Sequence, residues 1–242
     1  CVLQRARWAV KNETTYQKWN NETGGFIETT GYQDLKEKYL ESADTLQKQS
    51  KNDIIKQTGI KALDAAKMLD KHDIDDCYNT TNPLYSFSKQ YKQNCQRCVS
   101  AYEARRRGYD VTASERIFDG TDTLPIMTDQ KGWANVYENG IANLKTPVGS
   151  KSATVKQSIE SMMSSYGDGA RAIVRVRWQD HGDHVFIAEQ VNGVTQFIDP
   201  QLGQRDCSHY FNAGRIKPAS TRLLRIDDKA FTDLIEKCIV IK

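Results

Sequence analysis

The Asn192-Gly193 pair separates two stretches with strand character, and it constrains the fold more than any other feature of the chain. Residues 184–191 and 194–199 are strand candidates that flank this pair. A two-residue Asn-Gly link is typical of a type I′ turn, because that turn needs positive φ at both of its central positions. The sequence therefore predicts an antiparallel hairpin in which Val191 pairs with Val194.

This register has a consequence for the polar residues of the hairpin. Continuing the ladder from the turn places Phe186 opposite Asp199 and His184 opposite Gln201. Because side chains alternate between faces, all four would project from the same face. His184 and Asp199 would then be diagonal neighbours, about 7 Å apart at Cα, and an imidazole could reach a carboxylate across that distance.

A candidate nucleophile lies in the segment Asn94-Cys95-Gln96-Arg97-Cys98. Asn94 is a good helix N-cap, and it would place Cys95 at the first helical position. Free backbone N–H groups and the positive end of the helix dipole favour a thiolate there, and the same N–H groups bind an oxyanion. Cys98 lies one turn later and would pack inward, so Cys95 is the predicted nucleophile.

The first third of the chain has a different character. Residues 1–85 are poor in strand signals and rich in Lys, Gln, Asn and Glu, with apolar residues at helical spacing. The turn chemistry of Asn79-Thr80-Thr81-Asn82-Pro83 favours a boundary near its end. We expect a helical N-terminal region over 1–85 and a second domain over 86–242.

The second part carries helix signals first and strand signals after them. The predicted helices run from Cys95 to Arg107, closed by Gly108, and from Ser152 to Gly167. The predicted strands are 172–178, 184–191, 194–199 and 221–226. This order favours an α+β architecture, with helices first and then an antiparallel sheet.

Composition excludes several classes of protein. The 242 residues carry 34 Lys and Arg against 31 Asp and Glu, and a net charge of +3 gives no argument for a nucleic-acid partner. The longest apolar runs fall far short of the roughly 20 residues that a membrane helix needs, so no span is expected. The chain starts at Cys1 without a signal segment, which favours a piece of a longer protein. The six cysteines are expected to be mostly reduced.

Other interpretations of these residues stay open at this point. Cys95 and Cys98 could form a redox pair, although no thioredoxin-like pattern surrounds them. With Cys207 and His209 they could complete a zinc site, although the spacing is not that of a usual zinc knuckle. The run Arg105-Arg106-Arg107 is most simply a favourable partner of the helix dipole with surface charge, and substrate docking is the alternative.

Three segments carry a resemblance to a known family. They are 94–113, which begins Asn-Cys-Gln-Arg-Cys, then Gly182-Asp183-His184-Val185-Phe186, and Phe197-Ile198-Asp199-Pro200-Gln201-Leu202-Gly203. Over about residues 88–226 the chain resembles the papain-fold polymorphic toxins described as toxin glutamine deamidase domains. The first segment is also similar to C-terminal tails of phage minor-capsid or mobile-element proteins, where such domains occur as effectors.

The resemblance implies a papain-like cysteine-hydrolase fold, in which the helix that bears the nucleophile packs on an antiparallel sheet, here preceded by a helical region. It implies a catalytic triad of Cys95 as nucleophile, His184 as general base and acid, and Asp199 as the group that orients the imidazole. Gln201 would support the site or bind substrate.

Papain-type enzymes also place a Gln before the nucleophile as an oxyanion donor. Gln90 and Gln93 are the candidates for that role here, because position 89 is a lysine. Asn94 joins them as a residue that supports the oxyanion or the substrate.

The implied function is that of an effector or toxin that deamidates a glutamine side chain of a target protein, without a metal or cofactor. The alternatives are a cysteine protease or isopeptidase with the same triad, and a non-catalytic phage structural or protein-binding domain. The expected partners are a protein substrate in a target cell and a cognate immunity protein or capsid component. The expected location is the target-cell cytoplasm after delivery, or the virion.

Overall fold

The computed structural model describes residues 59–122, 124 and 131–242, together with the backbone of two short strands at 17–20 and 25–28. The chain divides into two compact units, Cys1–Asp53 and Ile54–Lys242. Among the described residues, no helix has the length and apolar character needed to cross a membrane.

In the first unit, strands β1 (Gln17–Asn20) and β2 (Gly25–Glu28) form an antiparallel pair. The prediction of helix is wrong at these two segments. Aromatic and β-branched residues such as Trp19 and Ile27 favour strand there, and a glycine lies at the start of the second strand. The rest of the predicted helical region before residue 59 lies outside the described residues.

The second unit begins earlier than the predicted boundary at residue 85. Its first helices are α1 (Lys61–Ala65) and α2 (Ile74–Cys77). Leu63 and Ile74 are buried in the same core cluster as the helix that bears Cys95, and burial of this apolar surface explains why these helices belong with the second unit.

The centre of the second unit is a four-stranded antiparallel sheet with the order β6-β5-β4-β7. The sheet strands are β4 (Arg171–Arg177), β5 (Asp183–Val191), β6 (Val194–Ile198) and β7 (Arg222–Arg225). The remaining elements of regular structure are β3 (Val111–Ala113), β8 (Ile239–Ile241), α3 (Cys95–Arg106), α4 (Lys131–Asn135), α5 (Ser152–Tyr166) and the 3₁₀ turns Ile141–Asn143, Ser208–Phe211, Pro218–Ser220 and Asp233–Lys237. The predicted α+β class is confirmed.

Both faces of the sheet are covered, which explains why β5 is apolar at consecutive positions. Val185 and Ile187 lie in the core cluster shared with α3, whereas Phe186 and Ala188 lie in the cluster shared with α5. The alternation of side chains along a strand distributes neighbouring residues between two cores. Helices α3 and α5 therefore pack on opposite faces of the sheet.

The predicted hairpin turn is confirmed. Asn192 and Gly193 have φ values of 51° and 76°, and Val191 pairs with Val194. The ladder ends at the pair Ile187–Ile198, however, so the predicted pairing of Phe186 with Asp199 and of His184 with Gln201 is wrong. Asp199 instead forms a pair of 2.9 Å backbone hydrogen bonds with Gln204, because the chain turns back on itself at Pro200.

Both predicted helices form. Helix α5 ends at Tyr166 before Gly167, whose φ is 85°, and it buries Val155, Ile159 and Met163 on one face. Helix α3 begins at Cys95 and ends before Gly108, whose φ is 98°. A positive φ is readily adopted by glycine, so both glycines stop their helices for the same reason.

The arginine run at the end of α3 does not form a charged surface as the sequence suggested. Arg107 is 2% exposed and donates to Glu103 at 2.7 Å, and Arg171 of β4 donates to the same carboxylate at 2.6 and 2.9 Å. Arg106 pairs with Glu189 of β5, which also accepts the Tyr102 hydroxyl at 2.9 Å. These ion pairs join helix α3 to the central sheet.

Candidate active site

A cleft of about 660 Å³ brings the first residue of α3 and the first residues of β5 together. Cys95, His184 and Gln201 all line it, although they are distant in the sequence. Cys95 is the first residue of α3, and the N-terminal end of a helix carries a partial positive charge. The cleft thus combines a thiol, an imidazole and the N-terminal end of a helix.

His184 contacts Asp199 directly. His184 Nε2 lies 2.8 Å from Asp199 Oδ2, and the carboxylate is fully buried. The same oxygen accepts the Tyr210 hydroxyl at 2.6 Å. Asp199 Oδ1 accepts the backbone N–H groups of Gln201 at 2.9 Å and Leu202 at 3.3 Å. Four donors therefore hold the carboxylate in one orientation toward the imidazole.

His184 and Asp199 each stabilise the charged form of the other. Burial by itself would lower the pKa of His184, but the charge and hydrogen bond of Asp199, followed by those of Cys95, raise this pKa to about 10. Burial would raise the pKa of Asp199, but the charge and hydrogen bond of His184, with those from Tyr210 and Gln201, lower it. Since Nε2 bonds to Asp199, Nδ1 is the ring nitrogen left for the Cys95 thiol.

Asn94 precedes the helix as predicted, but its side chain does not cap the helix. The side chain is buried, and it donates to the Ser114 carbonyl at 2.8 Å. Its amide oxygen accepts the Cys98 thiol at 3.1 Å and Gln201 Nε2 at 3.4 Å. The Asn94 side chain therefore connects the start of α3 to Gln201 across the cleft and to the backbone at Ser114.

The three glutamines named from the sequence differ in position. Gln201 is 6% exposed and lines the cleft, and Gln93 is exposed and also lines it. Gln90 is half-buried and does not line the cleft; its carbonyl accepts the Arg116 N–H at 3.3 Å. The structure therefore brings two of the three to the thiol and the imidazole.

The other described cysteines have a different environment. Cys98 is fully buried, and burial raises its pKa well above the ordinary value. Burial likewise raises the pKa of Cys77 to about 11 and that of Cys238 to about 12. All the described cysteines are free thiols. Of these thiols, Cys95 is the one that lines the cleft.

The zinc alternative has no support in the described part of the chain. Cys98 and Cys207 lie in different core clusters, on opposite faces of the sheet. Within residues 59–122, 124 and 131–242, no group of three or more His, Cys, Asp or Glu side chains could hold a metal ion.

Two aromatic residues beside His184 were not identified from the sequence. The Trp178 ring stacks on the imidazole with centroids 5.9 Å apart, and the Tyr210 ring meets the imidazole edge-on at 5.8 Å. Trp178 follows the end of β4, and Tyr210 lies in a 3₁₀ turn after β6. No local motif marks either residue, because both reach His184 only through the tertiary structure.

Comparison with known proteins found one family to which part of the chain is similar. The family model described as papain fold toxin 1, glutamine deamidase, matches residues 93–204, a range that includes the Cys95 helix start, the β5–β6 hairpin and the Asp199 turn. No significant match was found among curated proteins or among solved structures. Residues 93–204 are thus similar to the papain-fold toxin domains of the glutamine deamidase family.

Proposed function

We propose that this domain deamidates a glutamine side chain of a target protein, with Cys95 as nucleophile, His184 as general base and acid, and Asp199 as the group that orients His184. The observation that carries the proposal is the 2.8 Å contact between His184 and Asp199 beside a cleft that Cys95 lines. This combination supplies an activated nucleophile and an oriented base, which acyl transfer requires.

In the first half-reaction, the Cys95 sulfur attacks the amide carbon of the glutamine side chain and forms a tetrahedral intermediate. The C–N bond then breaks, and His184 gives its proton to the leaving nitrogen, so that ammonia departs and a thioester remains. The raised pKa of His184, about 10, favours the imidazolium form that this proton transfer needs.

In the second half-reaction, a water molecule attacks the thioester carbon while His184 accepts its proton. The C–S bond breaks, the substrate leaves with a glutamate side chain, and the Cys95 sulfur is restored. One water is consumed and one ammonia is released in each cycle. Asp199 keeps the imidazole in place through both proton transfers.

The oxyanion of each tetrahedral intermediate needs hydrogen-bond donors near Cys95. The backbone N–H of Cys95 at the start of α3 is the first donor that we propose. Gln93 and Gln201 are the side-chain candidates, because both line the cleft with Cys95. Asn94 supports Gln201 through their 3.4 Å hydrogen bond, and Gln90 acts at most indirectly, by way of the Arg116 backbone.

A protease or isopeptidase with the same triad would share these steps up to the leaving group. Similarity to this family favours the deamidase, since the matched family is that of glutamine deamidase toxins. A deamidated glutamine becomes an anion, and one new charge is enough to disable a protein interface. The substrate that we propose is therefore a protein of a target cell, which the domain reaches as a delivered effector or as part of a virion. A cognate immunity protein or a capsid component is the second partner that we propose.

The test is a comparison of intact masses of target-cell proteins after incubation with the wild-type protein, Cys95→Ala and Cys98→Ala. We expect wild type and Cys98→Ala to add about 1 Da to the target for each glutamine converted, and Cys95→Ala to add nothing. Cys98→Ala is the matched control, since it removes a thiol of the same helix outside the cleft.

Three outcomes would contradict the proposal in different ways. Fragments of the target would favour a protease or isopeptidase with the same nucleophile. Equal activity of Cys95→Ala and wild type would exclude Cys95 as nucleophile. Binding of a partner by all three proteins, without any change in mass, would favour a non-catalytic phage structural or protein-binding domain.

A further inference from the structure

A second cavity, of about 440 Å³, adjoins the cleft at His184 and Gln201. These two residues line both cavities, whereas Cys95 lines only the first and Arg215 only the second. Among the other residues that line the second cavity are Trp178, Leu202, His209, Tyr210 and Arg215. A substrate bound at Cys95 can therefore extend past His184 into this space.

Arg215 gives the second cavity its charge. Its guanidinium lies over the rings of Trp178 and Tyr210, 5.8 and 5.9 Å from their centroids. The residue is exposed, and no carboxylate of the described chain forms an ion pair with it. The aromatic rings fix the position of the guanidinium and leave its N–H groups to a ligand.

The remaining lining fits a short acidic side chain. His209 is exposed, and its ring packs against Tyr210 with centroids 4.7 Å apart. Leu202, 37% exposed, and Trp178 supply apolar surface for the methylene groups of a ligand.

The carboxylates near the second cavity either bond to other groups or lie outside its lining. Asp199 is fully buried and bonded to His184 and Tyr210. Asp206, which lies close enough to His209 for their charges to interact, accepts the Ser208 N–H at 2.8 Å. Asp180 is exposed two residues after Trp178 and does not line the cavity. Among the residues that line this cavity, Arg215 therefore offers a ligand a permanent positive charge that no carboxylate of the described residues pairs with.

We infer that the second cavity is a specificity subsite that binds an acidic side chain next to the target glutamine, with Arg215 as its charge partner. This inference rests on the proposed function, since it assumes that a peptide segment is bound at Cys95. The substrate class is thereby narrowed to proteins with Glu or Asp beside the modified glutamine. Planar guanidinium–carboxylate pairing provides both the attraction and the orientation.

The experiment measures alkylation of Cys95, which does not depend on turnover. Short peptides carry a chloromethyl ketone in place of the glutamine side-chain amide, so that the thiolate forms a C–S bond and displaces chloride. One set of peptides has Glu, Gln or Lys immediately before this position, and a second set has the same three residues immediately after it. The rate constant for addition at Cys95 is followed by intact mass and peptide mapping, for wild type, Arg215→Gln, Arg215→Glu and the control Lys217→Gln.

We expect the wild-type protein to react about tenfold faster with the Glu peptide than with the Gln peptide, and slowest with the Lys peptide. Arg215→Gln should remove this difference, and Arg215→Glu should reverse the preference toward Lys. Lys217→Gln, which removes an exposed charge that lines neither cavity, should behave as wild type.

The inference and the proposed function fail in different ways. Equal rates for the three wild-type peptides on both sides would overturn the subsite and leave Cys95 as nucleophile. A charge preference that Arg215→Gln retains would also overturn the subsite, because another group would then be responsible. Absence of labelling at Cys95 in the folded protein, while the unfolded protein reacts, would overturn the nucleophile and the subsite together.

Discussion

His184 Nε2 and Asp199 Oδ2 lie 2.8 Å apart although fifteen positions separate the two residues along the chain. His184 is near the start of β5, and Asp199 comes directly after β6, the strand that pairs with β5. The hairpin turn sets this approach, and the backbone pairing of Asp199 with Gln204 turns the chain so that the carboxylate meets the imidazole.

Asp199→Asn should leave the fold intact and lower kcat by a factor of roughly 10² to 10⁴, because an amide stabilises the imidazolium much less than a carboxylate does. Steady-state kinetics on a glutaminyl substrate would measure the effect. Asp168→Asn makes the same chemical change at an exposed position between α5 and β4, where the side chain accepts the Gly193 N–H, and should keep the wild-type kcat. Equal kcat values for the two variants would contradict the role of Asp199.

Tyr210→Phe tests whether the hydroxyl at 2.6 Å positions Asp199. We expect a loss of several-fold to tenfold in kcat with little change in KM, and a cost of about 1 kcal/mol in the free energy of unfolding. The hydroxyl helps to lower the pKa of Asp199, so its removal should move the acidic limb of the kcat–pH profile to higher pH. A purely structural role would lower stability without moving that limb.

The raised pKa of His184 predicts a pH dependence of stability. This pKa rises from 6.5 to about 10 on folding, so its stabilising effect is complete below about pH 6.5 and is lost as the pH rises through about 10. The difference in unfolding free energy between wild type and His184→Gln, from urea denaturation, should shrink steadily over that range. A difference that is constant or grows with pH would show that the imidazole is neutral in the folded protein.

Glu103→Gln should destabilise the protein by roughly 3 kcal/mol or more, because the guanidinium groups of Arg107 and Arg171 would stay buried without their counterion. The pKa of Glu103 is lowered from 4.5 to about 2, since the two arginines outweigh the effect of burial. Wild-type stability should therefore fall from about pH 4.5 toward pH 2, and that part of the decline should be absent in the variant.

Glu160→Gln is the matched control, because its side chain is 36% exposed and pairs with Lys156 on the surface of α5. We expect it to change the free energy of unfolding by less than about 0.5 kcal/mol. Urea denaturation of both variants measures the contrast, and similar losses would contradict the importance of the buried network.

Alkylation of the folded protein should modify Cys95 at least about tenfold faster than Cys77, Cys98, Cys207 and Cys238. Burial raises the pKa of each of these four thiols, which suppresses their reactive thiolate form. Peptide mapping after brief treatment with iodoacetamide measures the five sites separately. Faster labelling of any of the four would contradict the assignment of Cys95 as the reactive thiol.

Local chemistry explains which features could be predicted. The hairpin turn at Asn192-Gly193 depends on two residues that tolerate positive φ, and the end of α5 depends on Gly167, so both are encoded within a few positions. The helix start at Cys95 likewise depends on residues close to it in the sequence. The predicted pairing of His184 with Gln201 is wrong, because Pro200 and the backbone pairing of Asp199 with Gln204 divert the chain beyond the ladder.

Short stretches of sequence encode the turn at Asn192-Gly193, the pairing of Val191 with Val194 and the helix that begins at Cys95, because turns and helix ends depend on neighbouring residues. Packing of the whole second unit is needed to bury Arg107 with Glu103, to bring Tyr210 against the imidazole and to place Arg215 in the cavity that His184 lines. Those contacts join segments that are far apart in sequence, and their energy depends on which surfaces the packed sheet and helices bring together.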